Sequence, residues 1–298
     1  QVIMTEIGRG LCLEPYLQSV ILGGGLLEQL GSHSQQAEWL PEVAAGARQL
    51  AVALQESQSH YHLNDVKTRA ERNQQGFVLT GRKAVVIGGH SADAVIVSAR
   101  TAGDQLDKKG ISLFLLDPHS QGIKRREYTT IDGLRACDLI LEGVQVCADQ
   151  LLGEVNNAYD AIHYQAGRAI AALCAEAVGA MEEAVNITLE YLKTRKQFGM
   201  PIGKFQALQH RMVDMCTELE QARSMAILAA CVCDDVQSNE RQRNLAAAKQ
   251  VISRASKHIA EEAIQLHGGI GMTWEYSLAH YAKRLVMITH QFGDEDHH

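Results

Sequence analysis

The sequence predicts an α+β protein with three consecutive regions: helices over residues 1–46, a β-domain over residues 47–150 and a helical bundle over residues 151–298. Two observations support this prediction. Apolar residues recur at helical spacing near both ends of the chain, and short runs rich in β-branched residues fill its middle. Because no long helical stretch separates those runs, we expect an antiparallel barrel or sandwich rather than βαβ units.

The first region is predicted to contain short helices joined by turns. Its helical spacing is interrupted by Gly23-Gly24-Gly25 and again by Pro41. Glycine interrupts a helix through its backbone freedom, and proline does so because it lacks the N–H donor. We therefore expect helices to end at both places.

The middle region is predicted to form short strands separated by glycines. The apolar runs cover residues 51–54, 77–79, 84–87, 94–97 and 111–115, and the punctuating residues are Gly76, Gly81, Gly88, Gly89, Gly103 and Gly110. Since strands without intervening helices cannot build a doubly wound sheet, this pattern argues against a Rossmann-type nucleotide fold.

The last region is predicted to be helical because two apolar stripes alternate steps of three and four residues. The first stripe is Phe205, Leu208, Met212, Met215, Leu219, Ala222 and Ala226; the second is Leu245, Ala248, Ile252, Ala255, Ile259 and Ala263. Residues 237–240 between them read as a polar connection. Each stripe is the buried face of a bundle helix.

Composition excludes several functional classes. The chain has 298 residues, 46% of them hydrophobic, and a formal net charge of -7, so it can bury a core and is not expected to bind nucleic acid. No apolar run is long enough to span a bilayer, and the first residues carry no signal-peptide pattern. The seven cysteines are irregularly spaced, which suggests reduced thiols and a cytoplasmic location.

Two motifs together indicate a bound dinucleotide. They are residues 265–272, QLHGGIGM, and residues 195–202, RKQFGMPI. Clustered glycines let the backbone approach a ligand closely and point free N–H groups at a phosphate. Arg195, at the end of another predicted helix, can neutralise the same anion with its planar fork of donors. The alternative is that Gly268-Gly269 only ends a helix in the left-handed conformation.

The order of regions and the motifs resemble the acyl-CoA dehydrogenase family of flavoproteins over nearly the whole chain. The most specific stretch is residues 191–209, YLKTRKQFGMPIGKFQALQ, followed by the Gln-x-x-Gly-Gly-x-Gly loop at 265–271. Gly81-Arg82-Lys83 and Ala92-Asp93 also match. The resemblance implies an N-terminal helical domain, a middle β-domain and a C-terminal four-helix bundle. The family's first helices are not matched, so the N-terminal domain is expected to be incomplete.

The resemblance also implies a cofactor, a reaction and site residues. Arg195, Gln197 and Phe198 match positions that reach the flavin adenine dinucleotide (FAD) of a neighbouring subunit, and Gln265, Gly268 and Gly269 match a loop against its diphosphate. In the family, an acyl-CoA loses its α-proton to a carboxylate while its β-hydride passes to the flavin. The thioester carbonyl must be polarised and the base desolvated. An electron-transfer flavoprotein or a similar acceptor is the implied redox partner.

The positions that would surround the flavin ring depart from the family. The usual Trp-Ile-Thr stretch is Val85, Val86 and Ile87, so the aromatic ring and the hydroxyl are lost. The usual Thr-Glu-Pro-x-Ala-Gly-Ser-Asp segment is residues 55–62, QESQSHYH, whose bulkier side chains must change the backbone approach.

The base position is altered as well. The family's Tyr-Glu-Gly-Thr corresponds to residues 292–295, which places Gly293 where the carboxylate belongs. Some relatives carry a glutamate on the first bundle helix, where this chain has Ala169. A shift of register would recruit Asp294 or Glu295. No metal site is expected in residues 292–298, because adjacent carboxylates and imidazoles rarely converge on one ion.

The leading hypothesis is that this chain is one subunit of a heteromeric acyl-CoA dehydrogenase of α2β2 composition, whose partner supplies the base. Relatives with an FGDxDHH-type ending often act on bulky acyl-CoAs, including steroid side chains and dicarboxylates. The alternatives are a homomeric dehydrogenase that uses Asp294 or Glu295, and a non-enzymatic acyl-CoA-binding or scaffolding protein. Cofactor contacts across an interface imply at least a dimer, and the family usually forms dimers of dimers.

Overall fold

The computed structural model describes residues 1–235 and 239–298, and the predicted order of helices, strands and helices is confirmed. The first helices are α1 (Val2–Arg9), a π-helical segment (Leu17–Gly24), α2 (Gly25–Leu30) and α3 (His33–Ala44). The chain divides into two compact units, Leu13–Ala166 and the combination of Gln1–Cys12 with Gly167–His298.

The unit Leu13–Ala166 contains an eight-stranded sheet with the order β6-β7-β3-β2-β4-β5-β8, and β1 pairs with β4. The strands are β1 (Leu50–Ala53), β2 (Arg69–Arg72), β3 (Gly76–Ile87), β4 (Ala94–Arg100), β5 (Ile111–Leu116), β6 (Ile123–Thr129), β7 (Arg135–Cys147) and β8 (Leu151–Leu152). The pairs β2–β3, β3–β7, β6–β7, β4–β5 and β5–β8 are antiparallel, as expected. Strands β1 and β2 both run parallel to β4, which departs from the antiparallel prediction, because neither is joined to β4 by a hairpin.

Strand β3 shows that one predicted boundary is wrong. The sequence separated two runs at Gly81, whereas β3 continues through this residue with a shift of register beside it. A Cβ atom at Gly81 would lie 2.6 Å from the Cα atom of Thr68. Glycine is present here for a close approach of two backbones, which a strand tolerates as a bulge.

The expected helix breaks in the first region are also wrong. The π-helical segment passes directly into α2 through Gly23-Gly24-Gly25, and Pro41 lies inside α3. A Cβ atom at Gly23 would lie 2.7 Å from the Cβ atom of Leu50, and one at Gly25 would overlap the Gln165 side chain. These glycines are therefore sites of close packing within a continuous helix.

The bundle consists of α4 (Tyr159–Thr194), α5 (Gln206–Val232), α6 (Asn239–His267) and α7 (Leu278–Thr289). Every residue of the second predicted stripe is buried, and Met212, Met215, Leu219, Ala222 and Ala226 of the first are buried. Phe205 instead precedes α5 as its N-cap residue, and Leu208 is partly exposed. Of the predicted connection, residues 237 and 238 lie outside the described residues, and Asn239 begins α6.

Helix α1 packs on the bundle through glycine. A Cβ atom at Gly8 would overlap the carbonyl oxygen of Glu176, and a Cβ atom at Gly179 would overlap that of Thr5. The two helices therefore touch backbone to backbone, which only glycine permits. The buried Arg284 Nε donates to Glu176 Oε1 at 2.6 Å and ties α7 to the same turn of α4. Within the described residues, no helix has the length and apolar character that a membrane crossing requires.

Candidate nucleotide-binding site

A short hairpin follows α4 and carries the first motif. Strand β9 (Lys196–Gln197) pairs with β10 (Met200–Pro201), and the turn residues Phe198 and Gly199 have φ values of 54° and 78°. Positive φ at both central residues is what a type I′ turn requires. Phenylalanine adopts this conformation rarely, and its side chain is 87% exposed. The hairpin therefore presents an aromatic ring to the surroundings.

Arg195 lies between the last turn of α4 and this hairpin. Its N–H donates to Tyr191 O at 2.8 Å, and its carbonyl accepts from Ile202 N at 2.9 Å, so its backbone is fixed from both sides. Its side chain is exposed, as is that of Gln197. Among the described residues, no acidic group pairs with the guanidinium, which leaves its donors free to hold an anion.

The second motif forms a glycine turn at the end of α6. The helix ends at His267, Gly268 has a φ of 68°, and Gly268–Met272 continues as a 3₁₀ turn. The positions that Cβ atoms would take at Gly268 and Gly269 have no atom within 4 Å, and Gln265 is exposed. Gly268 thus ends the helix as the alternative predicted, and its open face also leaves room for a ligand.

The structure brings the two motifs together through aromatic residues that the sequence did not single out. The Tyr191 ring stacks on the His267 ring with 4.2 Å between centroids, and its hydroxyl donates to His267 O at 3.3 Å. The Tyr276 hydroxyl lies 3.2 Å from His267 Nε2. The sequence signal was an aromatic residue one turn before Arg195 and a histidine directly before the glycines.

The positions matched to flavin-ring contacts have other roles. Val85 lies at an irregularity of β3 with a φ of 53°, a strained conformation for a β-branched residue. Val86 is buried, and Ile87 packs in a small apolar cluster with Leu134 and Ala136. None of the three side chains offers an aromatic face or a hydrogen-bond donor.

A buried ion pair precedes Val85 in the same strand. Lys83 Nζ donates to Glu56 Oε1 at 2.7 Å and to Ser98 Oγ at 2.9 Å. The carboxylate of Glu56 also accepts from the backbone N–H groups of Lys67 and Thr68, at 2.8 and 3.1 Å. Burial alone would raise the pKa of Glu56, but the ammonium and these donors hold it at about 2. Sequence reasoning missed this pair, because the two residues are far apart in the chain.

The segment after α7 brings two imidazole rings close to position 293. Gly293 has a φ of 115°, and a Cβ atom there would overlap His298 Nε2 and lie 2.6 Å from His297 Cδ2. Asp294 Oδ1 accepts from His297 N at 2.9 Å, and the carboxylate is only partly shielded. Glu295 is exposed, and Ala169 is buried within α4. Within the described residues, no group of three His, Cys, Asp or Glu side chains is arranged to hold a metal ion.

Lys249 anchors this segment from α6. Its buried ammonium donates to Gly293 O at 2.7 Å, to Ile288 O at 3.0 Å and to Thr289 O at 3.1 Å. Burial lowers the pKa of Lys249 to about 8. The lysine therefore satisfies the carbonyls at the end of α7 and fixes the peptide that follows.

Two family models match most of the chain. The model described as acyl-CoA dehydrogenase, middle domain, matches residues 51–144, and that described as acyl-CoA dehydrogenase, C-terminal domain, matches residues 161–296. Both site motifs lie in the second match, and Val85 lies in the first.

Similar proteins and structures cover both units. A probable acyl-CoA dehydrogenase of Bacillus subtilis is 30% identical over 88% of this chain and 70% of its own length. A 3-(aryl)acrylate reductase of Clostridium sporogenes is 30% identical over 93% of this chain and 74% of its own. The ChsE4-ChsE5 complex from Mycobacterium tuberculosis contains a chain with a TM-score of 0.86 and 25% identity, covering 99% of this chain and 76% of that one.

Proposed function

This chain belongs to the acyl-CoA dehydrogenase family, and on that premise we propose that it is one subunit of a heteromeric, flavin-dependent acyl-CoA dehydrogenase. It holds the nucleotide tail of an FAD across the subunit interface, while a second dehydrogenase-like chain supplies the catalytic base. The composition is α2β2, and the substrate is an acyl-CoA thioester.

The residues of the two motifs fit the nucleotide tail of FAD. Gly268 and Gly269 have open faces where a diphosphate can approach the backbone, and Arg195 offers an exposed guanidinium without an acidic partner in the described part of the chain. Gln197, Phe198 and Gln265 flank these groups from the same two motifs and are exposed. Charge neutralisation by arginine and hydrogen bonds from free amides are the interactions that a diphosphate requires.

The residues matched to the flavin ring do not fit it. When bound, the isoalloxazine accepts the hydride, and the protein must orient it and tune its electronics. Val85 is strained and partly exposed, while Val86 and Ile87 are used in the core. This chain therefore has no group of its own to stack on the ring or donate to it at these positions, and we assign the ring contacts to the partner.

The observation that carries the proposal is Gly293. Abstraction of a weakly acidic α-proton requires a desolvated carboxylate, because desolvation raises its basicity. Position 293 carries no carboxylate, and the rings of His297 and His298 lie where a Cβ atom would be. Asp294 and Glu295 are not buried. The base of the complete enzyme must then come from elsewhere, which is the task of the second subunit.

Exposed apolar residues near the motifs support an interface. Phe198 and Met200 lie on the hairpin, and Ile270, Met272 and Trp274 lie on or after the glycine turn. Clusters of exposed apolar side chains mark surfaces that bind another protein. The ChsE4-ChsE5 structure, a complex of two differently named chains, supports a heteromeric assembly. A bulky acyl group, an electron-transfer flavoprotein as acceptor and a cytoplasmic location remain predictions from the sequence.

The test is to purify the chain alone and together with a candidate partner encoded beside it, and to measure flavin content per chain and turnover of acyl-CoA. We expect little flavin and no turnover for the chain alone, and bound FAD with turnover for the complex. Arg195→Ala in the complex is expected to lower FAD retention by at least tenfold, whereas Arg243→Ala, at an exposed site on α6, is the matched control. Full activity of the chain alone contradicts the proposal, and absence of flavin in every combination favours a non-enzymatic role.

A further inference from the structure

The imidazole of His267 is held on three sides. Its Nδ1 lies 2.8 Å from Ala263 O, its Nε2 lies 3.2 Å from the Tyr276 hydroxyl, and the Tyr191 ring covers one face. A carbonyl oxygen only accepts, so Nδ1 carries the hydrogen and Nε2 accepts from Tyr276. The residue is 4% exposed. These contacts define one neutral tautomer in one orientation.

This cluster joins both halves of the nucleotide-binding site. The backbone carbonyl of Tyr191 accepts from the backbone N–H of Arg195 at 2.8 Å, so the main chain of Arg195 is fixed to the residue whose ring stacks on His267. Gly268 follows His267 directly, and a Cβ atom at Gly271 would lie 2.9 Å from the Cβ atom of His267. The glycine turn therefore begins at His267 and packs back onto it.

We propose that Tyr191, His267 and Tyr276 are positioning residues that hold the glycine turn at a fixed distance from Arg195, so that both contact a single diphosphate. The inference rests on the proposed function for the identity of the ligand. A binding site loses affinity when its groups must be ordered on binding, and a rigid cluster avoids that loss. The Tyr276 hydroxyl, which follows the glycine turn, bonds to the His267 ring, which precedes it, and so ties the two ends of the turn together.

The positioning cluster depends on a neutral imidazole. Protonation places a hydrogen on Nε2, which reverses the hydrogen bond with Tyr276 and puts a positive charge in a buried position. Among the described residues, the titratable groups in contact with the ring are the phenols of Tyr191, from α4, and Tyr276, from the segment after the turn. Neither is a carboxylate, and burial lowers the pKa of His267. Acid is therefore expected to loosen the turn and weaken the site.

The experiment is calorimetric titration of ADP, as the probe for the nucleotide tail, into the full chain from pH 5.5 to pH 8. We expect Tyr276→Phe to weaken ADP binding about fivefold at neutral pH, as loss of one hydrogen bond predicts. His267→Gln keeps an N–H donor and an oxygen acceptor but does not titrate. We expect it to bind ADP at neutral pH and to lose less affinity in acid than the wild type. The matched control is Tyr281→Phe, which also removes one tyrosine hydroxyl hydrogen bond, the one to Arg9 O at 2.6 Å.

The outcomes separate the inference from the proposed function. If the Tyr276→Phe and His267→Gln variants bind ADP as tightly as the wild type at every pH, the cluster contributes only packing. The inference is then overturned while the proposed function stands. If the wild-type chain binds no ADP, the inference is overturned, whereas the proposed function is decided separately by the flavin content of the complex. Circular dichroism melting of each variant shows whether the chain is folded, and loss of ADP binding by a folded variant supports the inference. If Tyr276→Phe does not fold, the acid dependence of ADP binding by His267→Gln decides.

Discussion

Lys249 donates to the carbonyl oxygen of Gly293 at 2.7 Å, so a buried lysine on α6 fixes the backbone where the family places its base. The same ammonium reaches the last carbonyls of α7. The conformation of Gly293 is therefore set by a neighbouring helix and is not a loose chain end.

Gly293→Ala tests the steric argument. We expect the free energy of unfolding to fall by about 1–3 kcal/mol, because the new methyl group meets the rings of His297 and His298 and because φ is positive. Urea unfolding measures the change. Repeating the substitution in a His298→Ala background is expected to reduce the loss, as coupled neighbours require. An equal loss in both backgrounds shows that the rings do not fill the site.

Asp294→Asn and Glu295→Gln test the homomeric alternative. In the purified complex, we expect kcat to change less than twofold in each variant, since neither carboxylate is buried. A general base contributes about 10²–10⁴ in rate, so its loss is easily seen. Asp296→Asn, at an exposed neighbouring position, controls for a change of local charge. A loss of a hundredfold or more in either variant assigns the base to this chain.

Glu56 predicts an acid-sensitive contribution to stability. Its pKa is held at about 2 in the folded chain, below the ordinary value of 4.5. The contribution is fully present above pH 4.5 and is lost as pH falls toward 2, because the unfolded state binds the proton first. It is on the order of 3 kcal/mol at neutral pH. We expect Glu56→Gln to lower the free energy of unfolding at pH 7 and to flatten its pH dependence in this window.

The matched control for Glu56 is Glu142→Gln, which removes an exposed ion pair with Lys124. Exposed pairs contribute little, so we expect less than about 1 kcal/mol at pH 7. An acid limb that persists unchanged in Glu56→Gln shows that another carboxylate produces it.

Val85→Asn tests the strain in β3. Asparagine adopts positive φ more readily than a β-branched residue, and Val85 is 41% exposed, so little apolar burial is lost. We expect the free energy of unfolding to rise by about 0.5–1 kcal/mol in urea titrations. Val85→Ile keeps the strain and should leave stability unchanged. A destabilised Val85→Asn chain means that the side chain makes contacts that outweigh the strain.

Local patterns explain what the sequence could predict. The stripe from Leu245 to Ala263 is fully buried, because residues three and four apart share a helix face. Strands β4 and β5 are buried at every residue, and the predicted runs 94–97 and 111–115 lie within them. Strand β6 was missed because it lies at the sheet edge and carries charged residues such as Lys124 and Arg126.

Features that depend on contacts between residues far apart in the chain could not be predicted from the sequence. The packing role of Gly23 and Gly25 depends on Leu50 and Gln165, which the sequence does not place nearby. Within the candidate site, Arg195 and the glycines belong to short motifs and were predicted. The stacking of Tyr191 on His267 joins residues 76 positions apart and required the fold.

The crossing of α1 and α4 at Gly8 and Gly179 makes the stability of the bundle depend on α1. Arg9 Nη2 donates to Glu182 Oε2 at 2.8 Å, and the Tyr281 hydroxyl donates to Arg9 O, so α1 packs on the bundle as a fifth helix. Proteolysis that removes Gln1–Cys12 would expose the backbone of α4 at Gly179, which has no side chain to cover it. We therefore expect the bundle to be less stable without α1 than with it.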